Sequence, residues 1–406
     1  MTTAPAAAWL GVPEGSPWGP QTLPYGVAEL GGVPRVVVRI GDLALDVARV
    51  AERRSPELVP LLAAPSLDAL LAAGPRRWGA VRDAVTRWVT DPAGRADVEP
   101  HLHPLPGMPM RLPFTVADYV DFYSSRHHAE NLGALFRPGQ PPLTPNWLHL
   151  PIGYHGRSGT VVVSGTDVVR PSGQTRAPDA AAPAFGPSRR LDIEAEVGFV
   201  VGVPSAPGRP VPAAAFADHV FGVVLVNDWS ARDLQAWEYV PLGPFLGKSF
   251  ATSVSAWVTP LAALRDARVR VPEREVPVLP YLAGGADEGL DLALVVELNG
   301  EVVSRPPFAP MYWSPAQQLA HLTVNGAHLR TGDLFASGTV SGPAPEERGS
   351  LIELTWNGAE PLKLPDGSTR TFLADGDEVV IRGEARRADG TPVGLAEVRG
   401  RILPAA

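Results

Sequence analysis

The sequence predicts a mainly β protein with α (α+β) in two domains, and three observations predict it. Apolar runs divided by Gly, Pro and Asp clusters recur through most of the chain, a helical stretch lies near its start, and a proline-rich break separates that stretch from a longer strand-rich remainder. Residues 33–46, VPRVVVRIGDLALD, read as two short strands joined at Gly41-Asp42, a turn pair suited to positive φ. From Ser66 to Thr90 the period becomes helical. Leu67, Leu70 and Leu71 precede a Gly74-Pro75 break, then Trp78, Val81, Val85 and Trp88 recur at spacings of three and four. These helices are expected to cover the small N-terminal sheet. The segment HPLPGMPMRLPF, residues 103–114, has too many prolines for regular structure, which places a boundary near residue 112 and gives domains 1–112 and 113–406.

Beyond the boundary a large, mainly antiparallel sheet domain is expected, with apolar runs at 160–163 and 220–226. Asn299-Gly300 joins DLALVVEL to EVVS as a tight hairpin, and the residues from Asp377 onward read as strands broken at Asp389-Gly390. LIELTW, residues 351–356, reads as an apolar strand containing a single acid, Glu353, which needs a partner. One helix is clearly marked. Ser314 can cap it, Pro315 fits its first turn, Gln317 completes a capping box, and Gly326 can end it in a left-handed conformation.

Composition narrows the function. With 35 basic against 43 acidic residues, a net charge of -8 and no basic run, the chain lacks the footprint of a nucleic-acid binder. The absence of cysteine rules out disulfides, thiolate metal sites and a cysteine nucleophile, so any metal must sit on oxygen or imidazole. No uncharged apolar run reaches membrane-spanning length and the first residues lack a signal-peptide pattern, so a soluble, cytoplasmic protein is expected. Among the basic residues only Lys248 and Lys363 are lysine, which singles out Lys248 in a Gly- and Pro-rich loop.

Four segments concentrate chemistry. In RRLDIEAEVGFVVG, residues 189–202, Asp192, Glu194 and Glu196 share one face of a strand; the spacing admits a solvated outer face or a bound cation. In VVLVNDWSARD, residues 223–233, Asp228 ends a strand apolar enough to be buried on both faces, where it can ligate a cation or cap the next segment. Carboxylates without histidine or cysteine suit a hard ion, calcium or magnesium, better than zinc. The segment from Asp118 to Arg137, DYVDFYSSRHHAENLGALFR, holds two adjacent histidines that point in different directions on a helix or a strand. Residue type does not choose between His127 and His128. WEYVPLGPFLGKSFATS, residues 237–253, forms a loop from which Tyr239 and Lys248 can project, and ASGTVSG at 336–342 presents Thr339 between glycines.

These segments, together with LPYGV at 23–27, LTPNWLHLPIGYHGR, MYWSPAQQLAHLTVNG, LRTGDLFASGT and DGDEVVI, resemble the fumarylacetoacetase family over nearly the whole chain. The resemblance implies a small SH3-like β-barrel N-terminal domain, a mixed β-roll catalytic domain and a homodimer. It also implies a calcium-type site from Asp121, Glu194, Glu196 and Asp228, and a magnesium site involving Asp228, Lys248 and Thr252, the lysine through its carbonyl or indirectly. Substrate contacts are implied for Tyr123, Arg137, Tyr154, Gln235, Tyr239 and Thr339. The implied reaction is hydrolysis of a carbon–carbon bond in a small 1,3-diketone acid, giving fumarate and acetoacetate at the end of tyrosine and phenylalanine breakdown. In that scheme His128 is the general base, Glu353 orients it, and Arg232, Gln235 and Lys248 stabilise the departing carbanion. Two positions depart from the family pattern: His127 replaces glutamine and Ala251 replaces glycine. The competing expectations are an acylpyruvate or other diketone hydrolase of the same superfamily and, more distantly, a non-catalytic metal-binding protein.

Overall fold

A computed structural model describes residues 7–177, 179–284 and 288–406. Near the N-terminus, β1 (Tyr25–Leu30), β2 (Val33–Ile40) and β3 (Leu43–Asp46) form an antiparallel meander. Gly41, at φ +58°, makes the turn from β2 to β3. Helix α1 (Pro75–Thr90) begins with proline in its first turn after Gly74 and buries Val81, Val85 and Trp88 with Val36 and Val38 of β2. The helices therefore cover the small sheet, as the period predicts.

The main sheet adds β4 (Asp118–Phe122), β5 (Ala195–Val201), β6 (Val220–Asp228), β7 (Thr252–Val254), β8 (Trp257–Pro260) and β9 (Asp333–Ala336). Its order runs β3-β2-β1-β8-β6-β5-β9-β4, with β7 also paired to β6. The N-terminal strands are thus hydrogen-bonded into the larger sheet through β1 and β8, and among the described residues no pairing closes them into a barrel. The junction needs a glycine: a Cβ on Gly26 would stand 2.8 Å from Trp257 Cε3 and 2.9 Å from the Ala256 carbonyl oxygen. The architecture is the mixed, mostly sheet class that the sequence predicts.

A second sheet, Glu301–Ser304, Leu292–Leu298, Glu378–Arg386 and Pro392–Leu403 in that order, packs on one face of β5 and β6. Val197, Phe199, Val223 and Leu225 meet Leu294, Val296 and Ile381 there, while Val200, Val224 and Val226 face the N-terminal core. Both central strands are buried throughout, which their near-continuous apolar sequence demands. Asn299 and Gly300, both at positive φ, make the tight turn between Leu292–Leu298 and Glu301–Ser304.

Three helices frame the site: α2 (Arg126–Phe136), α3 (Arg232–Glu238) and α4 (Pro315–Thr323), the last with the expected capping box from Ser314 and Gln317. One expectation is corrected. Residues 351–354 are not a strand but a single helical turn, α5 (Leu351–Leu354), with Glu353 inside it. The Asp192 carboxylate, from another part of the chain, accepts from the Leu351 and Ile352 amides and satisfies the turn's first N–H groups. No local pattern announces a cap supplied from so far away.

Candidate active site

The ends of β4 and β6 and the start of β5 bring four acids to one place. Asp121 lies on β4, Glu194 directly precedes β5, Glu196 lies on β5 and Asp228 ends β6. Each offers a carboxylate oxygen within 4.8 Å of the other three, and all four residues are buried. The solvated-face reading of Glu194 and Glu196 is thereby excluded. Asp121 Oδ1 and Glu196 Oε1 have no hydrogen-bond partner. Burial, and then the Asp228 charge, pushes the Asp121 carboxyl well above its ordinary range; burial with Asp121 and Glu194 does the same to Glu196. Asp228 is raised as well, burial outweighing the neighbouring Lys248 ammonium.

Two cations offset part of this crowding. Lys248 Nζ donates to Asp228 Oδ2 at 2.8 Å and also to Glu194. Burial favours its neutral form, yet Asp228 and Glu194 prevail and hold the ammonium above its usual pKa. Arg232 places Nη2 2.7 Å from Glu194 Oε1 and Nε 2.7 Å from Asp192 Oδ2. Despite burial, Lys248 and Arg232 hold Glu194 far below the usual carboxylate range. Asp121 and Glu196 receive no comparable partner, so one oxygen of each stays buried without a donor within an all-oxygen donor set. That set fits a hard divalent cation and does not fit a metal that requires nitrogen or sulfur.

Beside the acids stands His128. Ser125 caps α2 by accepting the His128 backbone N–H, which sets the histidine in the first turn. Its Nδ1 is 2.7 Å from Glu353 Oε2, and its Nε2 is 3.9 Å from Glu194 Oε1. The carboxylate takes Nδ1–H, leaving Nε2 as the acceptor on the side of the acids. Glu353 also accepts from Asn131 Nδ2, Ser341 Oγ and Ser350 Oγ. Burial raises its pKa, but the His128 imidazole beside it and the hydrogen bonds from His128, Asn131 and Ser350 outweigh burial and lower it.

A cavity of about 380 Å³ opens onto these groups. Tyr123, Arg137, Tyr154, Gln235, Tyr239 and Thr339 all line it, together with Asp121, His128, Glu194, Arg232 and Lys248. Glu353, Glu196, Asp228 and Thr252 do not; Glu353 lies behind His128, and Asp228 and Thr252 line a smaller cavity on the other side of Lys248. Thr252 Oγ1 is 3.1 Å from Asp228 Oδ1. Thr339 follows Gly338, whose φ of +77° and lack of a Cβ let the chain pass the Phe122 carbonyl and donate its N–H to Glu196. His127 is half-buried on α2 and does not line the cavity, while Ala251 is buried in the core.

Two family descriptions match the chain: Fumarylacetoacetate (FAA) hydrolase C-terminal over residues 118–402, and Fumarylacetoacetase N-terminal over residues 21–113. This chain belongs to the fumarylacetoacetate hydrolase family. Its relatives include the fumarylacetoacetase of Arabidopsis thaliana, 44% identical over 95% of both chains. The Homo sapiens fumarylacetoacetase is 43% identical, with 98% of this chain and 99% of that one covered. Among solved structures, a fumarylacetoacetate hydrolase from Exiguobacterium antarcticum matches 94% of this chain and 99% of its own at TM-score 0.54 and 16% identity. A maleylpyruvate hydrolase from Sphingobium sp. SYK-6, solved with manganese(II) and pyruvate, matches 94% of this chain and all of its own at TM-score 0.52 and 15% identity. These two structures share the fold.

Sequence reasoning missed the residues that hold Glu353 against His128. Asn131 lies three residues beyond His128, on the same face of α2, and that spacing was a usable signal. Ser341 and Ser350 carried none, because only folding brings them to Glu353.

Proposed function

We propose that this chain hydrolyses the carbon–carbon bond of 4-fumarylacetoacetate to fumarate and acetoacetate, the closing step of tyrosine and phenylalanine catabolism. The observation that carries the reading is the His128–Glu353 pair, 2.7 Å apart, opening onto a cavity beside four converged carboxylates. Full-length similarity to fumarylacetoacetases supports this substrate. Asp121, Glu194, Glu196 and Asp228 would hold a calcium-type ion; Asp228, Thr252 and the Lys248 backbone would hold magnesium, since an ammonium cannot ligate. A bound divalent ion supplies Lewis-acid polarisation of the diketone oxygens.

The remaining steps fall to side chains. A water oxygen bonds to the carbonyl carbon of the fumaryl group as His128 Nε2 takes its proton, and Glu353 stabilises the imidazolium through Nδ1–H. The adjoining carbon–carbon bond then breaks, its electron pair passing into the enolate of acetoacetate, and a proton returns to that carbon. Arg232, Gln235 and Lys248 supply donors where the enolate charge collects. Gln235 Oε1 accepts from Arg232 Nη1 at 3.1 Å, which turns the amide so that its NH₂ is left for substrate. Tyr123, Arg137, Tyr154, Tyr239 and Thr339 hold the diacid in place.

The further assignments are a cytoplasmic homodimer and two domains, 1–112 and 113–406, the division supported by family matches that end at 113 and resume at 118. The test is direct. Purified protein with Mg²⁺, Ca²⁺ or Mn²⁺ is expected to abolish the diketone absorbance of fumarylacetoacetate and to favour it over acylpyruvates in kcat/KM. No turnover with any of these ions overturns the reading.

A further inference from the structure

Asp192, like Glu353, is a buried acid near the site that neither lines the cavity nor joins the four converged carboxylates, but no step of the proposed mechanism uses it. It is fully buried, and its two oxygens accept four hydrogen bonds. Oδ1 receives the Ile193 and Leu351 amides, both at 2.7 Å; Oδ2 receives the Ile352 amide at 3.1 Å and Arg232 Nε at 2.7 Å. That is the full acceptor capacity of a carboxylate.

The partners fall into two arms of the proposed mechanism. On one side is α5, a turn of four residues, too short to hold itself in place, whose third residue is Glu353. A serine preceding a helix ordinarily caps it, but Ser350 turns its hydroxyl to Glu353 Oε2 at 2.6 Å instead. Asp192 takes over the vacated capping role. On the other side is Arg232, whose Nε is fixed by Asp192 while its two Nη groups meet Gln235 Oε1 and Glu194 Oε1. One carboxylate thus sets the turn that orients the base and the plane of the guanidinium that meets the leaving group.

We propose that Asp192 is a positioning residue for the hydrolysis, holding Glu353 and Arg232 in register with each other. It touches no substrate atom, and the proposal rests on the functional reading above. Asp192→Asn keeps the shape but replaces one acceptor oxygen with an NH₂ facing groups that are already donors, so α5 loses an acceptor in either amide orientation and Arg232 loses its charged partner. A displacement of the order of 1 Å costs about 10²-fold in rate. The expected result is a fall in kcat of about that size, with KM changed by less than about threefold because Tyr123, Arg137, Tyr154, Tyr239 and Thr339, which hold the diacid, are untouched.

The experiment compares wild type, Asp192→Asn, Glu353→Gln and the double variant on fumarylacetoacetate, well below each unfolding midpoint. If Asp192 acts through Glu353, the double variant loses less than the product of the single losses. Wild-type kcat in Asp192→Asn, a loss confined to KM, or a fully multiplicative double variant overturns the proposal. Should Asp192→Asn not fold, Asp192→Glu is read instead; it keeps the charge, moves the carboxylate by one methylene, and is expected to lose kcat without losing its fold. Failure of both variants to fold assigns Asp192 to the fold alone and also overturns the proposal. An inactive wild type defeats the functional reading, whereas equal activity in wild type and variant defeats only this inference.

Discussion

His127 and His128 differ by one position on α2, about 100° around the helix, and that angle separates their fates. Only His128 meets Glu353 and lines the cavity. His128→Ala is therefore expected to lower kcat by at least about 10²-fold, the range of general-base catalysis, while calcium binding measured by calorimetry stays intact. Retained turnover in that variant removes the base assignment. Neither residue type nor neighbourhood in the sequence distinguishes the two histidines. Both are imidazoles in the same helical stretch, and the difference arises from a glutamate 225 positions away.

At the level of elements, short-range signals read well and long-range ones did not. The Ser314 capping box was legible because its partners lie three residues apart, and it matters beyond α4: Gln318 on that helix donates to Ser124 Oγ at 2.7 Å, just ahead of α2. Ser314→Ala is expected to cost about 0.5–2 kcal/mol, read as a lower unfolding midpoint with the active-site distances otherwise kept. The α5 turn was misread as a strand because its apolar residues carry no breaker and its cap, Asp192, comes from elsewhere. Asp377, at the entry to the strand Glu378–Arg386, offers a pH test. Burial raises its pKa, but hydrogen bonds from Arg370, Asn299 and the Ala374 amide outweigh burial and lower it. A lowered folded-state pKa gives stability that is present above the unfolded value and lost as pH falls through the folded one. Asp377→Asn should thus lower the melting temperature at neutral pH, by leaving donors unmatched at about 1–3 kcal/mol, with the deficit shrinking as pH falls below about 4. A pH-independent deficit refutes this.

For the whole molecule, a cation held by the acid cluster would couple its binding to folding. Asp121, Glu194, Glu196 and Asp228 converge from three separated segments, and only Glu194 and Asp228 have the Lys248 ammonium against them. A divalent ion at about 100 times its dissociation constant is expected to add about 2.7 kcal/mol to stability, so chelation should lower the melting temperature in thermal denaturation and added Mg²⁺, Ca²⁺ or Mn²⁺ should restore it. Indifference to chelation refutes a cation at this cluster.

The sequence by itself determined what depends on neighbours a few residues apart: the hairpin at Asn299-Gly300, the cap of α4, the apolar strands β5 and β6 that must be covered on both faces, and a donor inventory without cysteine. Its long ordered motifs also placed it in its family. Through that resemblance the motifs also implied His128 as base with Glu353 behind it; only the tertiary structure showed that Glu194 and Glu196 are buried, that Asn131, Ser341 and Ser350 hold Glu353, and that Asp192 holds a helical turn where a strand was expected. The reason is physical. Turns and caps follow from local sterics and hydrogen bonds, whereas a carboxylate becomes a ligand, a partner or a cap only through groups that packing brings to it from distant parts of the chain.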